Sequence, residues 1–142
     1  MLKNIPKNLS PELVKVLMEM GHGDEIVIAD GNYPAASNAK KLVRCDGLGV
    51  PELLDSILKL FPMDTYQEYS IGLMQVAEGD PTIPVIWDDY KKIIKEAVVE
   101  NDKIELLTRQ EFYNRGKEAY AIVATGEEAI YANILLKKGV VH

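Results

Sequence analysis

The sequence predicts an α/β fold, a single compact domain with a largely parallel sheet flanked by helices. Short runs rich in β-branched residues alternate with longer amphipathic segments along the chain, the order that builds strand–helix–strand units. Clusters of Pro, Gly, Asn and Asp punctuate those runs. A chain of 142 residues, 47% hydrophobic and 27% charged, is long enough for one buried core, and no repeat or linker divides residues 1–142.

Ser10-Pro11-Glu12 opens the first helix, with Ser at the N-cap, Pro at the first helical position and an acid near the positive dipole end. Leu13, Val14, Leu17, Met18 and Met20 then form an apolar stripe and Gly21 supplies the stop, so a helix is expected over about 11–20. The β-branched run 25–29 predicts a buried strand, closed by the turn residues Asp30-Gly31-Asn32. Residues 34–41 suggest a short helix. Pro51-Glu52 opens a clearer one through Leu53, Leu54, Ile57, Leu58 and Leu60, stopped by Pro62. Further strands are expected at 70–77, 104–107, 120–124 and 133–137, separated in part by helices at 85–98 and 109–118.

A formal net charge of -6 and a sequence pI near 4.9 argue against nucleic acid as a partner, because phosphate binding needs clustered Lys and Arg. The pairs Lys40-Lys41, Lys91-Lys92 and Lys137-Lys138 are scattered. No apolar run approaches the ~20 residues that cross a bilayer, and M-L-K-N-I-P-K lacks the apolar core of a signal peptide. The expected location is cytoplasmic, with no membrane partner. The single cysteine, Cys45, excludes an internal disulfide, and with no histidine nearby in sequence it reads as an inert thiol.

Gly21-His22-Gly23 lies between a helix and a strand, the reverse of the order a dinucleotide fingerprint requires. Gly47-Leu48-Gly49 lacks the third glycine, and no Walker A pattern occurs. His-Glu-x-x-His and paired Cys-x-x-Cys spacings are absent as well. Neither a cofactor nor a metal is expected.

Acid–base chemistry remains. His22 is the only histidine besides the terminal His142, and an imidazole with an unperturbed pKa of about 6.5 exchanges protons in both directions near neutrality. A helix-capping role near the negative end of the first helix competes with that reading. Asp30 falls at the carboxyl end of the first strand, where open α/β sheets collect ligands, and an Asx-turn is its competing role. Eight residues of extended chain span roughly 26 Å at ~3.3 Å per residue. Hence either the two turns fold back toward each other, or a second subunit completes the site.

The segment M-G-H-G-D-E-I-V-I-A-D-G-N-Y-P-A, residues 20–35, resembles the N-terminal signature of the L-fucose mutarotase and D-ribose pyranase family. Residues 119–139, A-Y-A-I-V-A-T-G-E-E-A-I-Y-A-N-I-L-L-K-K-G, resemble its closing segment, and R-C-D-G-L, V-P-E-L-L-D-S-I-L-K-L-F-P and V-A-E-G-D fall between in the expected order. The resemblance implies a subunit assembled into a ring, usually a homodecamer with sites near subunit interfaces, that interconverts cyclic forms of a free monosaccharide. It places His22 at the general acid, Asp30 at a sugar-binding acid, and Arg109, Tyr131, Ala132 and Asn133 at the remaining sugar positions. Arginine at 109 points to the fucose-type branch, since histidine serves the ribose type. Y-A-N replaces a familiar Y-G-N, leaving Ala132 to act through its backbone, while Tyr33 is the departure that bears on which sugar fits.

The residues suit that chemistry on independent grounds. Opening a cyclic hemiacetal moves a proton off the anomeric hydroxyl and onto the ring oxygen, and closure reverses both, so a group with a pKa near neutrality serves throughout. Asp30 and Arg109 suit charge-assisted hydrogen bonds to sugar hydroxyls, and Tyr131 and Asn133 supply a phenol and an amide. The expected function is therefore mutarotation of a free sugar, L-fucose first. Pyranose–furanose interconversion of the ribose type and a non-catalytic sugar-binding ring are the alternatives. Glu78-Gly79-Asp80 reads as a strand-to-loop turn with a possible supporting role, and Trp87 and Tyr90 read as packing. Tyr113 and Tyr120 stay open between core, interface and site rim.

Overall fold

The computed structural model describes residues 1–142. Helix α1 spans Pro11–Glu19, opened as its sequence implies: the Ser10 hydroxyl accepts from the Leu13 N–H, and Leu13, Val16 and Leu17 are buried. It leads through Gly23, whose φ of +87° requires glycine, into strand β1 at Glu25–Ala29. Short helix α2 (Ala35–Asn38) follows, then β2 (Leu42–Cys45), α3 (Val50–Leu58), β3 (Ile71–Met74), α4 (Ile86–Ala97) and β4 (Ile104–Leu107). Helix α5 (Arg109–Glu118), β5 (Ala121–Thr125) and β6 (Ile134–Lys137) complete the chain.

The six strands form one sheet in the order β2-β5-β1-β6-β3-β4. Strand β6 runs antiparallel to both neighbours, β1 and β3, and the β1–β5, β2–β5 and β3–β4 pairs are parallel. The sheet is mostly parallel, as expected, and mixed through one reversed strand inside it. Residues 126–133 join β5 to β6 at one and the same end of the sheet, beside the carboxyl end of β1, so β6 runs back in the opposite sense without a crossover helix.

Both faces of the sheet are covered, which explains why β1 reads as a continuous apolar run rather than an alternating one. Ile26 and Ile28 face a layer containing Leu13, Leu53, Ile57, Tyr90 and Ile94 from α1, α3 and α4. Val27 and Ala29 face Tyr33, Ala35, Phe112 and Ala119 around α2 and α5. Truncating a fully buried side chain such as Leu53 to Ala would cost about 2–5 kcal/mol.

Two sequence expectations change. Strand β2 was not anticipated: it is a four-residue edge strand with Val43 and Cys45 buried and Arg44 exposed, too short to display a period. The helix expected over 34–41 shortens to Ala35–Asn38, because Ala39 is already extended. Cys45 is buried, and burial pushes its thiol pKa upward, in keeping with an inert role.

Candidate active site

The carboxyl ends of β1 and β3, the start of α5 and the segment entering β6 meet at one end of the sheet. Their side chains line a cleft of about 260 Å³ that includes Asp30, Asn32, Tyr33, Asp80, Arg109, Tyr113, Tyr131 and Asn133. A larger hollow of about 440 Å³ at the N-terminus, between Met1, Leu2, Ile5 and Leu9, has Lys7 as its sole ionisable side chain, so it lacks convergent polar groups. A hollow of about 480 Å³ shares Asp30 and Tyr33 with the cleft, but its charged pair, Arg44 and Asp46, is mutually satisfied at 2.7 Å.

Asp30 is 5% exposed. Its Oδ1 accepts from the Asn32 N–H at 3.0 Å and its Oδ2 from the Ala132 N–H at 3.4 Å. The Asx-turn considered for Asp30 thus exists alongside its place in the cleft. Burial raises the Asp30 pKa above the usual carboxylate value, against these hydrogen bonds, which act to lower it. Asn133 Oδ1 accepts the Asp30 N–H at 2.7 Å, which orients the amide so that its NH₂ carries no bond within the chain.

Arg109 is the first residue of α5, after the N-cap Thr108. A cation at the positive end of a helix dipole is electrostatically misplaced, and no carboxylate of the chain pairs with it; its guanidinium lies 5.5 Å from the Tyr113 ring centroid. Local physics therefore does not favour arginine there.

Tyr131 has φ +56°, a left-handed conformation that is uncommon outside glycine. Several contacts over-determine it. Its phenol donates to Asp80 Oδ2 at 2.6 Å and accepts from the Ala77 N–H at 3.2 Å. Trp87 Nε1 donates to the Tyr131 carbonyl at 2.8 Å, and the Tyr90 phenol to the Ala132 carbonyl at 2.6 Å. Hydrogen bonds from Thr82 and Tyr131 hold Asp80 below the usual carboxylate range, and the bond to Asp80 raises the Tyr131 pKa. Ala132 is fully buried, with its backbone N–H directed at Asp30.

His22 is elsewhere. It precedes β1, and its Nε2 lies 3.0 Å from Asp64 Oδ1 beside the Tyr66 ring. Strand β1 is paired on both sides along its length, so the turns at its two ends do not fold back toward each other. The fold thus brings Asp30, Arg109, Tyr131, Ala132 and Asn133 together and leaves His22 at the opposite end. No group of three or more His, Cys, Asp or Glu side chains converges to hold a metal ion.

Asp80, read from the sequence as part of a turn with a supporting role held open, lines the cleft and bonds Tyr131, while Trp87 and Tyr90, read as packing, also donate to the backbone of Tyr131 and Ala132. Of the three, only Asp80 carried a sequence signal toward the site, as an acid in the Glu78-Gly79-Asp80 turn. Tyr33, singled out in the sequence, also lines the cleft. Its phenol oxygen is buried without a partner against Gly116 of α5, and burial pushes its pKa up to about 12.

Comparison with known proteins places the whole chain among relatives of similar sequence and fold. The profile of the RbsD / FucU transport protein family matches residues 3–141. An L-fucose mutarotase of Histophilus somni (strain 2336) is 47% identical over 140 residues, 99% of this chain and 97% of its own length. The crystal structure of the fucose mutarotase from Streptococcus pneumoniae in complex with L-fucose is similar with a TM-score of 0.95 at 60% identity, covering 99% of this chain and 100% of that one. Bacillus subtilis RbsD complexed with D-ribose has a TM-score of 0.77 at 24% identity over 100% of both chains, a likeness of fold alone.

Proposed function

Because the chain belongs to the RbsD / FucU transport protein family, we propose that it is an isomerase that interconverts the α and β anomers of L-fucose. The observation that carries this reading is the cleft itself. A buried acid, an unpaired guanidinium, a phenol and an amide with free donors converge where a polyhydroxylated ring of one sugar's size would be held by hydrogen bonds.

In ring opening, a base takes the proton of the anomeric hydroxyl and the electron pair of that oxygen forms the carbonyl. The bond from the anomeric carbon to the ring oxygen breaks, its pair passes to the ring oxygen, and that oxygen is protonated. Rotation about the bond to the next carbon presents the other carbonyl face, and closure runs the same transfers backwards. Such general acid–base assistance contributes about 10²–10⁴-fold. His22 is the group we assign to it. Asp30, Arg109, Tyr131 and Asn133 fix the hydroxyls, and Ala132 ties Asp30 to the backbone entering β6.

Since His22 stands at the far end of β1, the working site takes the imidazole from a neighbouring copy, within a closed ring of ten subunits in the cytoplasm. A heterologous contact of this kind closes into a ring when its rotation allows. Arg109, with no partner in its own chain, supports the fucose reading over ribose pyranose–furanose interconversion.

Magnetisation transfer between anomers tests the function. L-fucose is expected to exchange faster with the protein present than D-ribose does, and His22→Ala to remove the acceleration while sugar binding persists. Acceleration for ribose but not fucose would reassign the substrate, and equal exchange with wild type and His22→Ala would leave only a sugar-binding ring.

A further inference from the structure

We infer that Asp64 is a positioning residue for proton transfer at His22: it holds the neutral imidazole as the Nε2–H tautomer and leaves Nδ1 to exchange protons with the sugar. The inference rests on the mutarotase reading above. Asp64 lies in F-P-M-D-T-Y, a stretch with no catalytic motif, and its side chain is 1% exposed.

Three bonds lock its carboxylate. Oδ1 accepts from His22 Nε2 at 3.0 Å and from the Tyr66 N–H at 3.1 Å, and Oδ2 accepts from the Gln67 N–H at 3.3 Å. The Asp64 main-chain carbonyl is tied in turn by Asn101 Nδ2 at 2.9 Å. Burial acts to raise the Asp64 pKa, but the bonds from His22, Tyr66 and Gln67 outweigh it and hold the carboxyl below its usual range.

An ionised carboxylate can only accept, so the bond to Nε2 places the proton on that nitrogen. Nδ1 then carries the lone pair of the neutral ring, and it makes no hydrogen bond within the chain. The Tyr66 ring, 4.6 Å from the imidazole centroid and tilted by 58°, limits rotation on one side. The other ionisable groups around this turn are engaged elsewhere. Asp24 accepts from the Gly21 N–H at 2.8 Å, Glu100 accepts from the Met63 N–H at 3.1 Å, and Lys138 donates to the Leu17 and Met20 carbonyls at 2.7 and 2.5 Å.

Asp64 is thus the charge that meets the ring directly. When Nδ1 takes the anomeric proton, the ring becomes an imidazolium whose Nε2–H already faces a carboxylate. Nδ1 then delivers that proton to the sugar's ring oxygen, so one proton has moved from one sugar oxygen to the other and the imidazole is restored. Orientation of a catalytic imidazole by a buried carboxylate is a general device that sets tautomer as well as position.

The chain has only two histidines, so a His142→Gln background with ¹⁵N-histidine leaves one imidazole to observe. Long-range ¹H–¹⁵N correlation with the ring neutral is expected to report the Nε2–H tautomer, and Asp64→Asn to abolish that preference. The same variant is expected to slow L-fucose exchange roughly ten- to a hundredfold, the loss of one charge-assisted hydrogen bond, with sugar affinity little changed. A dominant Nδ1–H tautomer in the unsubstituted site, or unslowed exchange in a folded Asp64→Asn protein, would overturn the inference. Should that variant not fold, the tautomer with Asp64 in place decides alone. If His22→Ala leaves exchange intact, the catalytic reading of His22 fails, and the positioning role for proton transfer falls with it; His22 dependence together with the wrong tautomer sinks the Asp64 assignment alone.

Discussion

His22 and Asp30 flank the same strand from opposite ends: His22 sits before Glu25, and Asp30 follows Ala29. A regular strand separates its ends by the rise of its residues, which no side chain spans. This relationship makes a shared site testable without a structure of the assembly. His22→Ala and Arg109→Ala subunits are each expected to be inactive alone, yet mixed oligomers of the two should regain about a quarter of the sites when subunits mix at random. Sugar exchange after co-refolding reads the result, and no recovery would place both residues in one chain's site.

Acid should weaken sugar binding before it unfolds the protein. Asp30 has a raised folded pKa, so its stability contribution is fully present below the unfolded value and is lost as pH rises through the folded one; its buried charge opposes folding at neutrality. Asp64 is depressed, so its contribution is present above the unfolded value and is lost as pH falls through the folded one. On acidification Asp30 protonates first, above the usual aspartate value of about 3.9. L-fucose affinity should therefore decline while far-UV circular dichroism is unchanged, and Asp30→Asn should remove that pH dependence. Affinity that stays constant down to the ordinary aspartate range would refute it.

Tyr33→Phe removes a buried phenol oxygen that has no partner, so stability should stay within about 1 kcal/mol of the parent or rise. Gly116→Ala should do the opposite, because its Cβ would overlap that same oxygen. Overpacking of this kind costs about 1–3 kcal/mol. Chemical denaturation of both variants and of the double substitution checks the pairing, with the double expected to be milder than Gly116→Ala alone.

Tyr90→Phe should cost about 1–3 kcal/mol, because the Ala132 carbonyl is buried and loses its only donor. The backbone of Ala132 reaches Asp30, so L-fucose affinity should fall as well. Unchanged affinity would mean that Asp30 is held by Asn32 and Asn133 alone.

Most elements were legible because their boundary residues act locally. Ser10-Pro11 opened α1, and the runs at 25–29 and 104–107 became β1 and β4 without adjustment. Edge strand β2 escaped, since four residues with one exposed arginine carry no readable period. The cleft was legible in Asp30, Arg109, Tyr131 and Asn133 through the resemblance of the two end segments. Asp80, Trp87 and Tyr90 were not, because their roles depend on which carbonyl or phenol the fold sets against them.

The sequence by itself determined the α/β alternation, the family and the presence of one internal histidine, the candidate for proton transfer. Local turn chemistry and apolar patterning suffice for the alternation, side-chain type for the histidine, and the resemblance of the segments 20–35 and 119–139 for the family. Tertiary structure alone decided that β6 runs backwards, that Tyr131 is held left-handed by Asp80, Trp87 and Tyr90, and that His22 faces Asp64 rather than Asp30. Those outcomes depend on strand direction and on contacts between residues far apart in the chain, where packing and hydrogen-bond satisfaction choose among partners that no local pattern distinguishes.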